Sequence, residues 1–119
     1  GVSLTREDVR EFQLAKSAVM SALQCLVKQA GITFDDIEKM YVAGGFSDKM
    51  RIENASFLGL LPAELADRFE PINNSSLLGT INFALGNTSP LEEITSKAEF
   101  VDIGADKLFS ELFFENMMF

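Results

Sequence analysis

The sequence predicts an α/β fold in which a small, mainly parallel sheet of two or three strands is packed by long helices. Three observations lead to this prediction. The chain opens with a long amphipathic pattern of helical period. Short apolar runs that suit strands then alternate with further helical segments. The first of these runs, residues 39–43, shows no polar alternation, which is typical of a strand covered on both faces of a parallel sheet.

The first predicted element is a helix over residues 6–30. Thr5 and Asp8 form a capping box at its start, and Gly31 suits the position just after its end. Apolar side chains recur along it with the helical period. The polar face left over is narrow, so we expect this helix to be buried on most sides. That polar face consists of Gln13, Ser17, Gln24 and Lys28.

Glycine, proline and capping signals divide the rest of the chain into short elements. Asn73 or Asn74 suits the N-cap of one helix, and the pair Ser89 and Pro90 suits the start of the next. Pro71 weakens the strand that contains it. In chain order we expect turns at 35–38 and 63–67, strands at 39–43, 69–72 and 99–103, and helices at about 51–58, 74–85, 89–98 and 105–117.

The composition indicates one ordinary globular domain and excludes several chemistries. The 119 residues are 47% hydrophobic and 24% charged. The excess of 18 acidic over 10 basic residues gives a net charge of −8, which argues against nucleic-acid and anionic-membrane partners. With no His and one Cys, the chain offers no imidazole base, no internal disulfide and no complete thiolate metal site.

The sequence carries no signal for a membrane or for export. No apolar run approaches the roughly 18 residues that span a bilayer, and no leader opens the chain. We therefore expect a cytoplasmic protein with no membrane association. The first residue is Gly rather than Met, so we also expect a piece of a longer protein.

The strand at 39–43 ends abruptly in Gly44 and Gly45, with a polar loop and a helix after them. Glycines at the carboxyl end of a strand let the backbone approach a ligand, and backbone N–H groups there suit an anion such as phosphate. A tight turn without a ligand explains a glycine pair equally well. On the dipeptide alone, both interpretations stay open.

The wider segment, residues 30–47, resembles the adenosine-binding segment of the ASKHA superfamily, which includes acetate and sugar kinases, the 70-kDa heat-shock chaperones and actin. In that superfamily an apolar strand ends in two glycines and a small hydroxyl residue. The resemblance implies that the backbone at Gly44, Gly45 and Phe46 lies against the α-phosphate and adenosine of ATP, with Ser47 in the small-residue position. It also implies a ribonuclease-H-like subdomain.

Residues 71–80 are similar to a later helix of the same fold, whose N-terminus lies near the ribose. The resemblance makes Asn74 or Ser75 the ribose-side candidate, whereas cap statistics alone favour a plain Asn N-cap. Asn73 is compatible with a left-handed cap at this point, because Asn tolerates left-handed backbone.

Nearly the whole chain is similar to the C-terminal half of the ATP-dependent reductive activators of corrinoid proteins. The resemblance implies that the full protein uses ATP with Mg²⁺ to return Co(II) corrinoid proteins of methyltransferase systems to Co(I). It also implies an N-terminal [2Fe–2S] ferredoxin domain and a first ASKHA half with the catalytic acid, both outside residues 1–119. We assign no catalytic or metal-binding residue to this chain and expect no turnover from it alone. The similarity lies in short matches in the same order, at residues 12–18, 43–47, 53–55, 59–62, 74–79 and 109–119.

Other side chains could also contact a ligand. For most of them a purely structural role explains the sequence as well. Lys16, in the long helix, either reaches a phosphate or, as most lysines do, faces solvent. Cys25 suits a small buried hydrophobic position. Asp48, Lys49 and Arg51 suit either a nucleotide or partner contact or a polar loop and helix cap.

Two other functions also fit the sequence. Residues 92–119 carry two bases and seven acids, and four of the eleven phenylalanines lie in residues 108–119. This acidic, Phe-rich C-terminus suits a non-catalytic interaction module that docks on a partner without a nucleotide. The glycine pair also suits another ASKHA kinase or ATPase. Because further strands of the superfamily fold lie outside the chain, we expect an exposed sheet edge that would allow a homodimer.

Overall fold

A computed structural model describes residues 1–45 and 49–119. Within these ranges the chain forms five α-helices and two β-strands, joined in part by three 3₁₀ turns, so the predicted α/β class is confirmed. The 3₁₀ turns are Phe34–Asp36, Ala63–Leu65 and Ile103–Ala105. In chain order the helices and strands are α1 (Arg6–Gln29), β1 (Met40–Ala43), α2 (Ile52–Phe57), β2 (Phe69–Ile72), α3 (Ser75–Ala84), α4 (Ser89–Lys97) and α5 (Lys107–Glu115).

Local capping groups set both ends of α1. The hydroxyl of Thr5 accepts a hydrogen bond from the backbone N–H of Asp8 at 3.1 Å, and the Asp8 carboxylate accepts from the Thr5 N–H at 2.8 Å. This is the predicted capping box. Gly31 follows the helix with a φ of +68°, a left-handed conformation that glycine adopts without strain. The predicted bounds of α1 are therefore confirmed to within one residue.

The two strands are adjacent and parallel, as expected. The register pairs Met40 with Phe69 at one end and Ala43 with Ile72 at the other. Residues 44–68, which include α2, form the crossover that a parallel pair requires. Arg68, just before β2, donates hydrogen bonds to three carbonyl groups of the segment that leads into β1, which ties the two strand entries together. The acceptors are Phe34, Asp35 and Ile37 at 3.4, 3.0 and 2.8 Å.

The third predicted strand, at residues 99–103, is wrong. Residues 98–102 have no regular structure, and Phe100 is 92% exposed. The Asp102 carboxylate instead accepts from the Ala105 N–H at 3.3 Å and caps a 3₁₀ turn. Alternation of apolar and polar residues predicts which face is buried, but a strand also needs a neighbour to pair its backbone groups. Among the described residues only β1 and β2 form a sheet.

The expected burial of α1 is also wrong, because its most buried face is largely polar. Lys16, Ser17, Ser21 and Cys25 are each no more than 3% exposed. In contrast, Val19 and Leu26, an apolar residue two turns further along, are 40% and 41% exposed. The helix therefore presents one side, not most of its surface, to the rest of the chain.

The polar face of α1 is buried because α5 and the tail after it bond to it through side chains. The Ser17 hydroxyl donates to the carbonyl of Phe113. The Asn116 amide donates to the Ser21 hydroxyl at 2.9 Å and to the Gln24 amide oxygen at 2.8 Å. We call this set of contacts the α1–α5 polar seam. It also includes hydrogen bonds from Gln13 to the Met117 carbonyl and from Lys16 to the Met118 carbonyl.

Few large apolar side chains are buried in the described residues. The buried hydrophobic residues among those described are Cys25, Ala55, Leu61 and Leu65. The radius of gyration is 16.7 Å, against roughly 13.5 Å for a compact domain of this length. None of the helices in the described ranges combines the length and apolar character that a bilayer crossing requires. The exposed apolar residues of α3 and α4 include Leu77, Leu78, Ile81, Phe83, Leu91 and Ile94.

Candidate functional site

The parallel register brings the two predicted ligand segments to one edge of the sheet. Ala43 and Ile72 are paired at the carboxyl ends of β1 and β2. Gly44 and Asn73 are the next residues on their respective strands, so the glycine turn and the start of α3 leave the sheet side by side. Ligands of open α/β folds bind at the carboxyl ends of strands. The structure therefore brings Gly44 and Gly45 together with the segment that holds Asn74 and Ser75.

The glycine turn combines a special backbone conformation with open space. Gly44 has a φ of +96°, which an L side chain rarely adopts. A Cβ built on Gly44 or on Gly45 would meet no heavy atom of the described residues within 4 Å. The glycines are thus not needed for packing inside the described residues, and the space beside them can take a ligand. The predictions for Phe46 and Ser47 lie outside the described residues.

Asn74 is the N-cap of α3. Its side-chain oxygen accepts from the backbone N–H of Leu77 at 3.1 Å. Of the two expected caps, Asn73 or Asn74, the second is therefore confirmed, while its role towards a ribose stays a prediction. Ser75 is half-buried, and its backbone N–H donates to the Asn73 carbonyl at 2.6 Å.

Asn73 does not adopt the left-handed conformation that its residue type allows. No residue other than glycine has a positive φ among those that the structure describes. The bond from Ser75 to the Asn73 carbonyl turns the chain into α3 without a left-handed residue. A glycine is therefore not required at this position, which explains in physical terms how Asn occupies it.

A cavity of about 370 Å³ opens where the described chain resumes, four residues after Gly45. Lys49 and Arg51 contribute exposed cationic side chains to its wall. Arg51 is also the N-cap residue of α2, although its side chain makes no capping bond. The predicted alternatives for these residues, ligand contact or polar loop, stay open. The remaining lining residues are Phe12, Met50, Asn54, Ala55, Leu58 and Leu60.

Lys16 is not the solvent-facing lysine that base rates favoured. It is 3% exposed, and its ammonium donates to the Met118 carbonyl at 2.5 Å. The same nitrogen lies 4.7 Å from the centroid of the Phe119 ring. Burial lowers the pKa of Lys16, because desolvation disfavours the charged form. The C-terminal residues, and not water, therefore cover this cation.

Cys25 is buried in the α1 face that α5 covers and has 0% exposure, as expected. Burial raises the pKa of its thiol, and the negative charge of Asp106 adds to the effect. A thiol of this kind is a poor nucleophile at neutral pH. The described residues also contain no cluster of three or more Cys, Asp or Glu side chains that could hold a metal ion.

A cavity beneath the C-terminal tail was missed at the sequence level. Ser56, one of its lining residues, has a buried hydroxyl without a hydrogen-bond partner in the described part of the molecule. Residues distant in the chain, such as Lys16 and Met118, form the same wall. No local sequence signal could have found this cavity, because packing between three separate segments creates it.

Comparison with known proteins identifies the domain class. A family model matches the chain over residues 1–119, and it describes the C-terminal domain of RACo, the ASKHA domain. The chain therefore belongs to the family of RACo C-terminal ASKHA domains. The predicted resemblance to the ASKHA superfamily is confirmed at this level.

Two curated relatives narrow the comparison further. The chain is 30% identical over 123 residues to the corrinoid activation enzyme RamQ of Eubacterium limosum, covering 99% of this chain and 20% of RamQ. It is 31% identical over 77 residues to the [Co(II) methylated amine-specific corrinoid protein] reductase of Methanosarcina barkeri, covering 65% of this chain and 14% of that protein. The chain thus spans a fifth or less of the length of these relatives.

Proposed function

We propose that this chain is the nucleotide-binding part of an ATP-dependent reductive activator that returns Co(II) corrinoid proteins of methyltransferase systems to Co(I). The observation that carries the proposal is the parallel register, which sets Gly44 and Gly45 beside the N-terminus of α3 at one sheet edge. Membership of the RACo C-terminal family supports it. So do the names of the two relatives, a corrinoid activation enzyme and a Co(II) corrinoid protein reductase.

In this proposal the chain binds ATP mainly through backbone groups. The turn of Gly44, Gly45, Phe46 and Ser47 lies against the α-phosphate and adenosine, and the start of α3 lies near the ribose at Asn74 or Ser75. The open space beside both described glycines fits this role, because a phosphate needs close approach to backbone N–H groups. The partial positive charge at the N-terminus of the ten-residue α3 also favours an anion.

The remaining parts of the activity belong outside this chain. Residues 1–119 form the C-terminal half of the ASKHA ATP-binding domain in this proposal. The first half supplies the catalytic acid and completes the site for ATP with Mg²⁺. An N-terminal ferredoxin domain supplies the electron, because four thiolates usually hold a [2Fe–2S] cluster and this chain has one Cys. The partner that receives the electron is the corrinoid protein.

Replacing Gly45 by Val in the full-length protein tests the proposal. Gly45 has no positive φ, and a Cβ there meets no atom of the described residues within 4 Å, so the fold should tolerate the side chain. We expect ATP affinity, measured by calorimetry, to fall by about tenfold or more because the branched side chain blocks the approach to the backbone. The rate of ATP-dependent Co(II) reduction, followed by the absorbance of the corrinoid, should fall with it.

Three results would reject the proposal in favour of other functions. Nucleotide binding without any Co(II) reduction would indicate another ASKHA kinase or ATPase. Partner binding without nucleotide binding by the wild-type protein would indicate a non-catalytic interaction module. ATP affinity that is unchanged in the Gly45→Val protein would remove the glycine turn from the nucleotide site.

A further inference from the structure

A second cavity, of about 490 Å³, lies between α1, the carboxyl end of α2 and the C-terminal tail, residues 116–119. Its polar wall includes Lys16 and Ser56, and much of the remaining wall is apolar. We propose that this cavity binds a small organic oxyanion, a carboxylate or phosphate ester with an apolar body. The proposal is independent of the nucleotide edge, because none of the four described candidate residues there, Gly44, Gly45, Asn74 and Ser75, lines this cavity.

The first ground is a buried cation without a counter-charge. Lys16 is 3% exposed, and no carboxylate oxygen of the described residues lies within 4.0 Å of its ammonium nitrogen. Its partners are the Met118 carbonyl and the face of the Phe119 ring. An ammonium group has three N–H donors, and buried charges in proteins are normally paired. An oxyanion would supply both the missing charge and the missing acceptor.

The second ground is an unpartnered hydroxyl in the same cavity wall. The Ser56 hydroxyl is buried and has no hydrogen-bond partner among the described residues. Unsatisfied buried polar atoms are rare and call for a physical explanation. A Cβ on Gly59, another lining residue, would lie 3.4 Å from the Lys16 nitrogen, so a larger side chain there would crowd the ammonium. Lys16 and Ser56 are therefore two residues with hydrogen-bond donors in the wall of one cavity.

The lining also specifies the kind of oxyanion. Met20, Phe57 and Phe119 are among the apolar residues that form the wall, so a ligand gains from an apolar body that a bare inorganic ion lacks. Glu115 borders the cavity as an exposed carboxylate and opposes an anion through like-charge repulsion. Removing that charge should consequently strengthen binding, whereas removing the Lys16 or Ser56 donor should weaken it.

Calorimetric titration of the full-length protein with phenyl phosphate tests the proposal. A saturating non-hydrolysable ATP analogue keeps the nucleotide site occupied. Inorganic phosphate, which lacks the apolar body, and benzyl alcohol, which lacks the charge, serve as comparison probes. The variants are Lys16→Met, Ser56→Ala and Glu115→Gln. Lys28→Met is the matched control, because Lys28 is an exposed lysine of the same helix.

We expect phenyl phosphate to bind more tightly than either comparison probe. Lys16→Met should weaken it by about tenfold or more, and Ser56→Ala by about three- to tenfold. Ser56→Ala removes no existing hydrogen bond, so its thermal midpoint should not fall. Glu115→Gln should tighten binding by about twofold or more, and Lys28→Met should change it by less than twofold.

The proposal is overturned if the wild-type protein does not bind phenyl phosphate or if the affinity is the same in wild type and Ser56→Ala. If Lys16→Met fails to fold, Ser56→Ala and Glu115→Gln still decide, because neither side chain has a hydrogen-bond or ion-pair partner among the described residues. These outcomes do not depend on whether the nucleotide edge binds ATP.

Discussion

Substituting Ala for Gly44 and, separately, for Gly31 separates backbone strain from nucleotide contact. Both glycines have left-handed φ values, +96° and +68°, and a Cβ on either would meet no heavy atom within 4 Å among residues 1–45 and 49–119. An L residue costs about 1–2 kcal/mol more than glycine in this conformation. We therefore expect both variants to lose about the same local stability, because neither adds a clash.

Nucleotide binding should distinguish the two variants. Gly44 follows the carboxyl end of β1 at the shared sheet edge, whereas Gly31 follows α1. A Cβ at Gly44 narrows the space that a phosphate needs beside the backbone. We expect ATP affinity to fall at least tenfold in Gly44→Ala, about 1.4 kcal/mol, and to stay within about twofold in Gly31→Ala.

The assay is calorimetric titration of the two full-length variants with ATP and Mg²⁺. Hydrogen exchange of the peptides around each substitution measures the local loss of stability. Equal ATP affinities in the two variants, together with equal local destabilisation, would refute the assignment of the glycine turn to the nucleotide site. A selective loss of affinity in Gly44→Ala, at equal local destabilisation of the two variants, is the result that contact between the glycine turn and the nucleotide predicts.

Two further predictions concern stability. Asn116→Ala removes two hydrogen bonds of the α1–α5 polar seam, so we expect a loss of about 1–3 kcal/mol, seen as lower hydrogen-exchange protection of α5; unchanged protection would contradict this. Backbone and hydroxyl hydrogen bonds from Thr5 lower the pKa of Asp8 below its usual 3.8. The capping box should therefore stabilise α1 fully above that value and lose its effect as the pH falls through the lowered folded-state pKa. Asp8→Asn should abolish this pH dependence in the protection factors of the first turn, and an unaltered pH profile would show that the carboxylate is not its source.

The elements that could be predicted are those set by local chemistry. Thr5, Asp8 and Gly31 fix the ends of α1 through bonds within a few residues. Asn74 caps α3 through an atom three residues away from its partner. The candidate nucleotide edge could be proposed from the sequence for the same reason, because a strand and the two glycines after it are adjacent in the chain. Predicting that β1 and β2 are parallel required one further step, the inference that the segment between them forms a crossover.

The failures have a common cause in contacts between distant segments. Apolar periodicity predicted that hydrophobic side chains form the buried face of α1. Ser17 and Ser21 on that face are instead hydrogen-bonded to Phe113 and Asn116, which lie about 95 residues further along the chain. The more common of the two interpretations of Lys16, a solvent-facing lysine, failed for the same reason, because the C-terminal tail covers it. A polar side chain on a helix can be buried when it forms a hydrogen bond with a carbonyl or amide group from a distant part of the chain. Periodicity alone carries no information about such partners.

The candidate residues also indicate how the chemistry is divided. The nucleotide edge consists of Gly44, Gly45, Phe46, Ser47, Asn74 and Ser75, and none of these has an acidic or basic side chain. Backbone N–H groups, a cap and a hydroxyl can bind and orient a nucleotide, but they cannot serve as a general base near neutral pH. If the chain binds ATP as proposed, proton transfer and electron supply must come from other parts of the protein. Substitutions at this edge should accordingly weaken nucleotide binding first and reduce turnover only as a consequence.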